Sequence, residues 1–257
     1  MDRSYLSDSD VVAASRNFVC LRLATYEDQA EADFMKSVYI GRNGDLANTT
    51  FALLSPDGEK SLVTAGRGPF HAFRSASSMS ASLAQLADDY PRRAGAAEHC
   101  PSLPLMKTVD LALNVAACDG LPLLVVVGET SEAAEKIQRD LAVVAWQEPL
   151  AGQFIYGSAS DKRTLKPIAK ARLRSALLII EPDPFGLTGK IFRAIDPNQP
   201  SAVLKEKLVQ AITAYPHPLK DHNRHVRLGI RLGIEWETVI PETDQQSLRA
   251  KARARGK

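Results

Sequence analysis

Leu121-Pro-Leu-Leu-Val-Val-Val127 is the longest apolar run in the chain, and the residues on either side of it set the fold class. The run is far short of the ~20 residues needed to span a bilayer. It is continuous rather than alternating, so it reads as a short strand buried on both faces. Upstream, Met106 to Cys118 reads as a helix closed by Gly120. Downstream, Ser131 starts a helix that runs to about Ala142, with Ile137 and Leu141 four residues apart on one face. Farther on, Gln153 to Tyr156 is predicted as a strand, Asp161 to Ala171 as a helix and Ala176 to Ile180 as a second buried strand. Pro182-Asp-Pro-Phe-Gly186 is a turn, Lys190 to Ile195 its hairpin partner, and Ser201 caps a last helix over Ala202 to Ala214.

The first ninety residues repeat this order. Ser9-Asp10 opens a short helix, and Phe18 to Ala24 is predicted as a buried strand. Glu27 to Val38 follows as a helix with Ala30, Phe34 and Val38 on one face. Thr50 to Leu54 and Ser61 to Thr64 make a hairpin about the turn Ser55-Pro-Asp-Gly58, and a helix from about Ser78 to Asp89 ends before Pro91. Strands alternating with helices and closing in a hairpin describe an α/β protein, a mixed central sheet with helices on both faces. The chain is long for one domain and comfortable for two. The expected division is a domain over 1–90, a linker rich in proline over 91–104, a domain over 105–215 and a C-terminal extension over 216–257. In that extension, Val226-Arg-Leu-Gly-Ile-Arg-Leu-Gly-Ile-Glu-Trp236 alternates without interruption. It is predicted as a strand near 225–237 that covers an open sheet edge in the first domain or in a partner subunit.

This element order resembles the thioredoxin-like fold family, used twice in tandem with the first domain trimmed. In that family a CxxC pair opens the helix after a buried strand, and a cis-proline precedes the hairpin strand. The helix N-terminus then lowers the first thiol's pKa. Ala24-Thr25-Tyr26-Glu27-Asp28-Gln29-Ala30 matches the first corner, with Tyr26 at the family's tryptophan place and Glu27 and Ala30 at the two cysteine places. Gly128 to Lys136 matches the second, with Glu132 and Glu135 at the cysteine places; Thr49 and Ser175 stand where the cis-prolines would be. Without thiols there is no thiol–disulfide exchange. The resemblance therefore implies a redox-inactive binding or scaffold protein, with Tyr26, Glu27, Ala30, Thr49, Glu132, Glu135 and Ser175 around its former active-site grooves. It implies no cofactor, and a protein partner or self-association as a dimer.

Other features bear on function more weakly. A net charge of +2, from 32 basic and 30 acidic residues, gives no overall pull toward nucleic acid or an anionic membrane. Three cysteines at distant positions, Cys20, Cys100 and Cys118, fit a reducing compartment. The polar opening MDRSYLSDSD has no secretory signature, and the expectation is a soluble cytoplasmic protein. Cys20 and Cys118 read as small core residues, Cys100 as a bystander in the linker. Acidic residues in helix first turns (Glu27, Asp28, Glu31, Glu132, Glu135) read first as partners of the macrodipole and second as acid–base groups. His217, His222 and His225, with Asp221 among them, are the most ligand-like cluster and support an alternative, a metal-binding protein; the neighbouring prolines favour a solvated connector. The basic tail from Arg249 to Lys257 has no aromatic residue to stack on a base, so it reads as a solvated terminus. Neither a phosphate loop, a serine elbow nor HExxH is present.

Overall fold

The structure is a computed structural model. It describes residues 4–21, 23, 25–41, 44–47, 49–90, 102–217, 221–235, 238, 240, 248–249 and 252–253, the side chain of His222 excepted. Most of the expected linker, with Cys100, and most of the basic tail lie outside these residues. The chain divides into two units, one of residues 1–94 and 236–257, the other of residues 95–235.

The second unit is a mixed α/β layer structure. Its elements in chain order are α4 (Val109–Asp119), β1 (Leu123–Val127), α5 (Ser131–Ala145), β2 (Ile155–Ala159), β3 (Ile168–Ala169), β4 (Ala176–Pro182), β5 (Gly189–Ile195), α6 (Ser201–Ala214) and α7 (His222–Arg231). The sheet order is β2-β1-β4-β5-β3. β1 and β2 are parallel, β4 runs antiparallel to both β1 and β5, and the two-residue β3 lies parallel to β5. Period-two geometry sorts the apolar run onto two faces. Leu124 and Val126, with Leu177 and Ile179 of β4, meet Ile137 and Leu141 of α5 and Leu204 and Leu208 of α6. Leu123, Val125 and Val127, with Leu178 and Ile180, meet Val109, Ala112, Leu113 and Ala116 of α4. All five β1 residues are buried because both faces are covered, which is why the run needs no polar alternation.

The helix limits have local causes. The Thr108 hydroxyl accepts a hydrogen bond from the Leu111 N–H at 3.1 Å, and Gly120 stops α4 in the left-handed region at φ 69°. Thr130 caps α5 in the same way through the Ala133 N–H at 3.2 Å. In the β4–β5 turn, Asp183 accepts from the N–H groups of Phe185 and Thr188 and from the Thr188 hydroxyl. Gly186 sits there at φ 70°, and a Cβ would come within 2.4 Å of the Asn114 Cα, so this turn packs directly on α4.

In the first unit, α1 (Ser9–Ser15) packs against α3 (Ala76–Asp89) through Val11, Met79 and Leu83, with Phe73 beside them. The expected hairpin forms as an irregular ladder. Phe51 and Gly66 exchange backbone hydrogen bonds of 2.7 and 3.1 Å, and the Leu62 N–H donates to Leu53 at 2.8 Å. Its Phe51 ring meets Phe73 edge-on, 6.2 Å between centroids. The turn is held by Ser55, whose hydroxyl donates to Asp57 and accepts from the Lys60 N–H. α2 (Gln29–Val38) is capped by Asp28, which accepts from the Glu31 N–H at 3.1 Å.

Four expectations are corrected. First, no described residue of Phe18 to Ala24 is in a strand, and Val19 and Leu21 are 81% and 74% exposed. Apolar residues alone do not make a strand; a neighbouring ladder and a cover are required, and here the run gives only Phe18 to the cluster of α1, α3 and the hairpin. Cys20 is accordingly exposed rather than in a core, and so is Cys118 in the last turn of α4. Second, α2 buries Ala32 and half-buries Met35, whereas Ala30 and Phe34 face out. Third, 161–171 is a series of turns and β3 rather than a helix, because Pro167 lacks the N–H and crowds the preceding turn, and Lys170 takes a positive φ of 61°. Fourth, the alternating segment from Val226 is not a strand: α7 occupies His222–Arg231. Asp221 caps it through the Arg224 N–H at 2.9 Å, and Gly233 leaves it at φ 66°. Ile240 is buried with Ala32 and Leu46, and its N–H donates to the Tyr26 carbonyl at 2.9 Å.

Candidate functional site

The carboxyl ends of the parallel pair β1 and β2 gather the second set of candidate residues. After Val127 the chain turns at Gly128, whose N–H donates to the Ala159 carbonyl at the end of β2, 3.0 Å away. Any side chain at Gly128 would collide with the backbone of α5, since a Cβ would stand 2.3 Å from the Ala134 nitrogen. The helix is thus seated tightly on the strand end. Val127 lies opposite Ala176 in the antiparallel ladder, so Ser175, half-buried, stands just beyond the pair at the same sheet end as the start of α5.

Around this corner the side chains are hydroxyls, an amide and a carboxylate. The Ser131 and Ser160 hydroxyl oxygens are 3.3 Å apart, and the Gln138 amide donates to Ser158 at 2.8 Å. Glu132, fully exposed in the first turn of α5, has its carboxyl held below the ordinary range by its own backbone N–H and then by the Thr130 hydroxyl. Glu135, one turn on, is also exposed and leaves the corner: it lines an open groove of about 380 Å³ together with Leu103, Leu105, Gln138, Arg139 and Ala142. Of the three groove candidates in this unit, the fold therefore brings Glu132 and Ser175 to one end of the sheet and places Glu135 in a groove that borders the corner through Gln138. The sequence shows Ser131 only as a helix start, and Ser158 and Ser160 escape it altogether. β2 runs on through Gly157 and Ser158 to Ala159, where small polar residues hide the strand signal.

The first unit's candidates do not form a comparable corner. Tyr26 is half-buried and packs with Met35 against Ala32, Leu46 and Ile240. Glu27 is half-buried and directly precedes the Asp28 cap, while Ala30 and Thr49 are exposed.

The histidines have separate surroundings. His217, at φ 39°, meets the Tyr215 ring edge-on at 5.2 Å, and Tyr215 is itself buried, with its hydroxyl pushed up to about 12 by desolvation and by the Glu181 carboxylate. His225 stacks on Phe185 at 4.6 Å and 23°. The backbone of His222 opens α7. Among the described residues no three of His, Cys, Asp and Glu gather about a common point. No helix of the described residues is long and apolar enough to cross a membrane. No family model matches the chain, and comparison with curated proteins and with solved structures finds no match either.

Proposed function

We propose that the chain is a redox-inactive, thioredoxin-like binding or scaffold protein that works through contacts with another polypeptide at the β1–α5 corner. The observation that carries this reading is the composition of that corner. A parallel β–α–β unit followed by an antiparallel hairpin and a helix, in the order β2-β1-β4-β5, presents its carboxyl end, the usual ligand-binding end of open α/β sheets. At that end stand Ser131, Glu132, Ser160 and Ser175, which offer hydrogen-bond donors and acceptors and no sulfur. Such groups suit the main chain of an extended polypeptide, whose N–H and C=O groups need partners when covered. Cys118, the described thiol of this unit, sits in the last turn of α4 and not at the corner.

Two measurements test the reading. Insulin-disulfide reduction by the purified protein stays at the level of the dithiothreitol blank; robust turnover overturns the redox-inactive half. A photo-crosslinking residue installed in place of Ser175 captures a polypeptide in cells, and the same residue in place of Glu206, exposed on α6, does not. Equal capture from both positions, or none from Ser175, overturns the binding half.

A further inference from the structure

The other end of the sheet carries a surface that the β1–α5 corner does not involve. α7 is a helix of 10 residues and no acidic ones, His222-Asn-Arg-His-Val-Arg-Leu-Gly-Ile-Arg231. One side of it is fixed. Gly229 is buried against Phe185 of the β4–β5 turn, where a Cβ would meet the ring at 3.1 Å, and His225, one turn earlier, stacks on the same ring. At 3.6 residues per turn, Arg224, Arg227 and Arg231 fall within ~60° of arc, roughly opposite Gly229. The three guanidinium groups therefore point away from the body of the unit. Among the described residues no carboxylate pairs with any of them. Beside this stripe, at i and i+4, lie Val226 and Ile230, 43% and 53% exposed; Leu232 follows at 58%.

We infer that α7 is a docking surface for an acidic, amphipathic polypeptide segment, whose carboxylates meet Arg224, Arg227 and Arg231 and whose apolar side chains cover Val226 and Ile230. Charge complementarity selects the sign of the partner, because a guanidinium fork binds a carboxylate with two parallel hydrogen bonds. The apolar edge selects its class. Arginine beside exposed aliphatic side chains is the composition of a protein interface, whereas a nucleic acid backbone would satisfy the arginines and leave Val226 and Ile230 uncovered. A lipid surface is disfavoured by orientation: the side directed away from Phe185 is the arginine stripe, and the aliphatic edge lies about a quarter turn round, so the helix cannot bury it by lying flat. This surface stands or falls independently of the proposal for the corner.

The probe is a fluorescent helical peptide with leucines along one face and glutamates beside them, titrated into the full chain. Wild-type protein binds it, and Arg224→Glu with Arg227→Glu weakens binding by about tenfold or more while circular dichroism stays unchanged. A second peptide with lysines in place of the glutamates recovers binding to the reversed variant and binds wild type poorly. Ile230→Ser, which leaves every charge in place, weakens the first peptide by a smaller factor. If the acidic peptide binds wild type and reversed variant alike, or does not bind at all, the inference is overturned. Tighter binding of wild type to phosphatidylserine vesicles or to a single-stranded oligonucleotide than to the peptide also overturns it.

Discussion

Leu123–Val127 and the segment Phe18 to Leu23 are both short apolar runs between two helices, each leading to a helix with a side-chain cap. In the second unit the run is a strand with parallel β2 on one side, antiparallel β4 on the other and helices above and below, and all five residues are buried. In the first unit no described residue of the run is in a strand, and Val19 and Leu21 stand in solvent. The difference lies in the neighbours. β4 offers Ala176 to Ile180 in register with the whole of β1, whereas the first-unit hairpin pairs with itself and turns its apolar face toward Phe73 and α3. Strand formation is thus a property of the pair and its cover, and an apolar run only makes it possible.

The sharpest way to break this comparison is to empty one position in the covered strand. Leu124 is fully buried between α5 and α6. Leu124→Ala removes buried apolar volume and leaves a cavity, at a cost of about 3 kcal/mol to the second unit. Urea unfolding followed by the fluorescence of Trp146, in a chain with Trp236→Phe, reads the loss as a lower midpoint. A midpoint that does not move would mean that the strand is not the centre of this unit.

A smaller effect sharpens the comparison at the helix starts. α5 and α2 follow the two runs, and each is capped by a side-chain oxygen, Thr130 in one and Asp28 in the other. Thr130→Ala should cost about 1 kcal/mol. It also removes one of the two hydrogen bonds that hold the Glu132 carboxyl low. The sign is fixed by linkage. A carboxyl with a lowered folded-state pKa stabilises the fold at pH values above its unfolded pKa, and that stabilisation is lost as pH falls through the folded value. NMR titration of Glu132 should therefore give a midpoint below that of an ordinary glutamate, moving upward in Thr130→Ala. An unmoved midpoint would show that the backbone N–H alone sets it.

How far the sequence discloses this architecture depends on how many signals agree at each place. For α4, β1 and α5, a cap, a continuous apolar run and a left-handed glycine all point one way, and the elements fall within a few residues of their expected places. The β4–β5 hairpin was legible for the same reason, from its Pro-Asp-Pro turn. Where signals conflict, one period misleads. Val226 onward alternates perfectly, yet on a helix the same letters place Arg227 and Arg231 along one side with the preceding Arg224, and Asp221 and Gly233 supply both helix ends. Glu132 and Ser175 are 43 residues apart in the chain, and only the β1–β4 register brings them to one sheet end. Neighbouring letters carry no trace of that register, and Glu135 consequently read as a companion of Glu132 although it lines another groove.

The smallest expected effect belongs to the uncovered run. Leu21 is 74% exposed and Val19 81%, so a polar side chain at either place gives up little buried area. At ~25 cal/mol per Å² the transfer term nearly vanishes when the group is already in water, and Leu21→Ser should change stability by less than about 0.5 kcal/mol. The contrast with Leu124→Ala is then several-fold for similar side chains, and it measures cover rather than composition. Solubility should move more than stability, because exposed aliphatic residues on a β-prone segment favour association between chains. Sedimentation of wild type and of Val19→Ser with Leu21→Ser at rising concentration would show the variant associating less. A loss of stability as large as that of Leu124→Ala would instead mean that the run is covered in the folded protein, and the contrast between the two units would disappear.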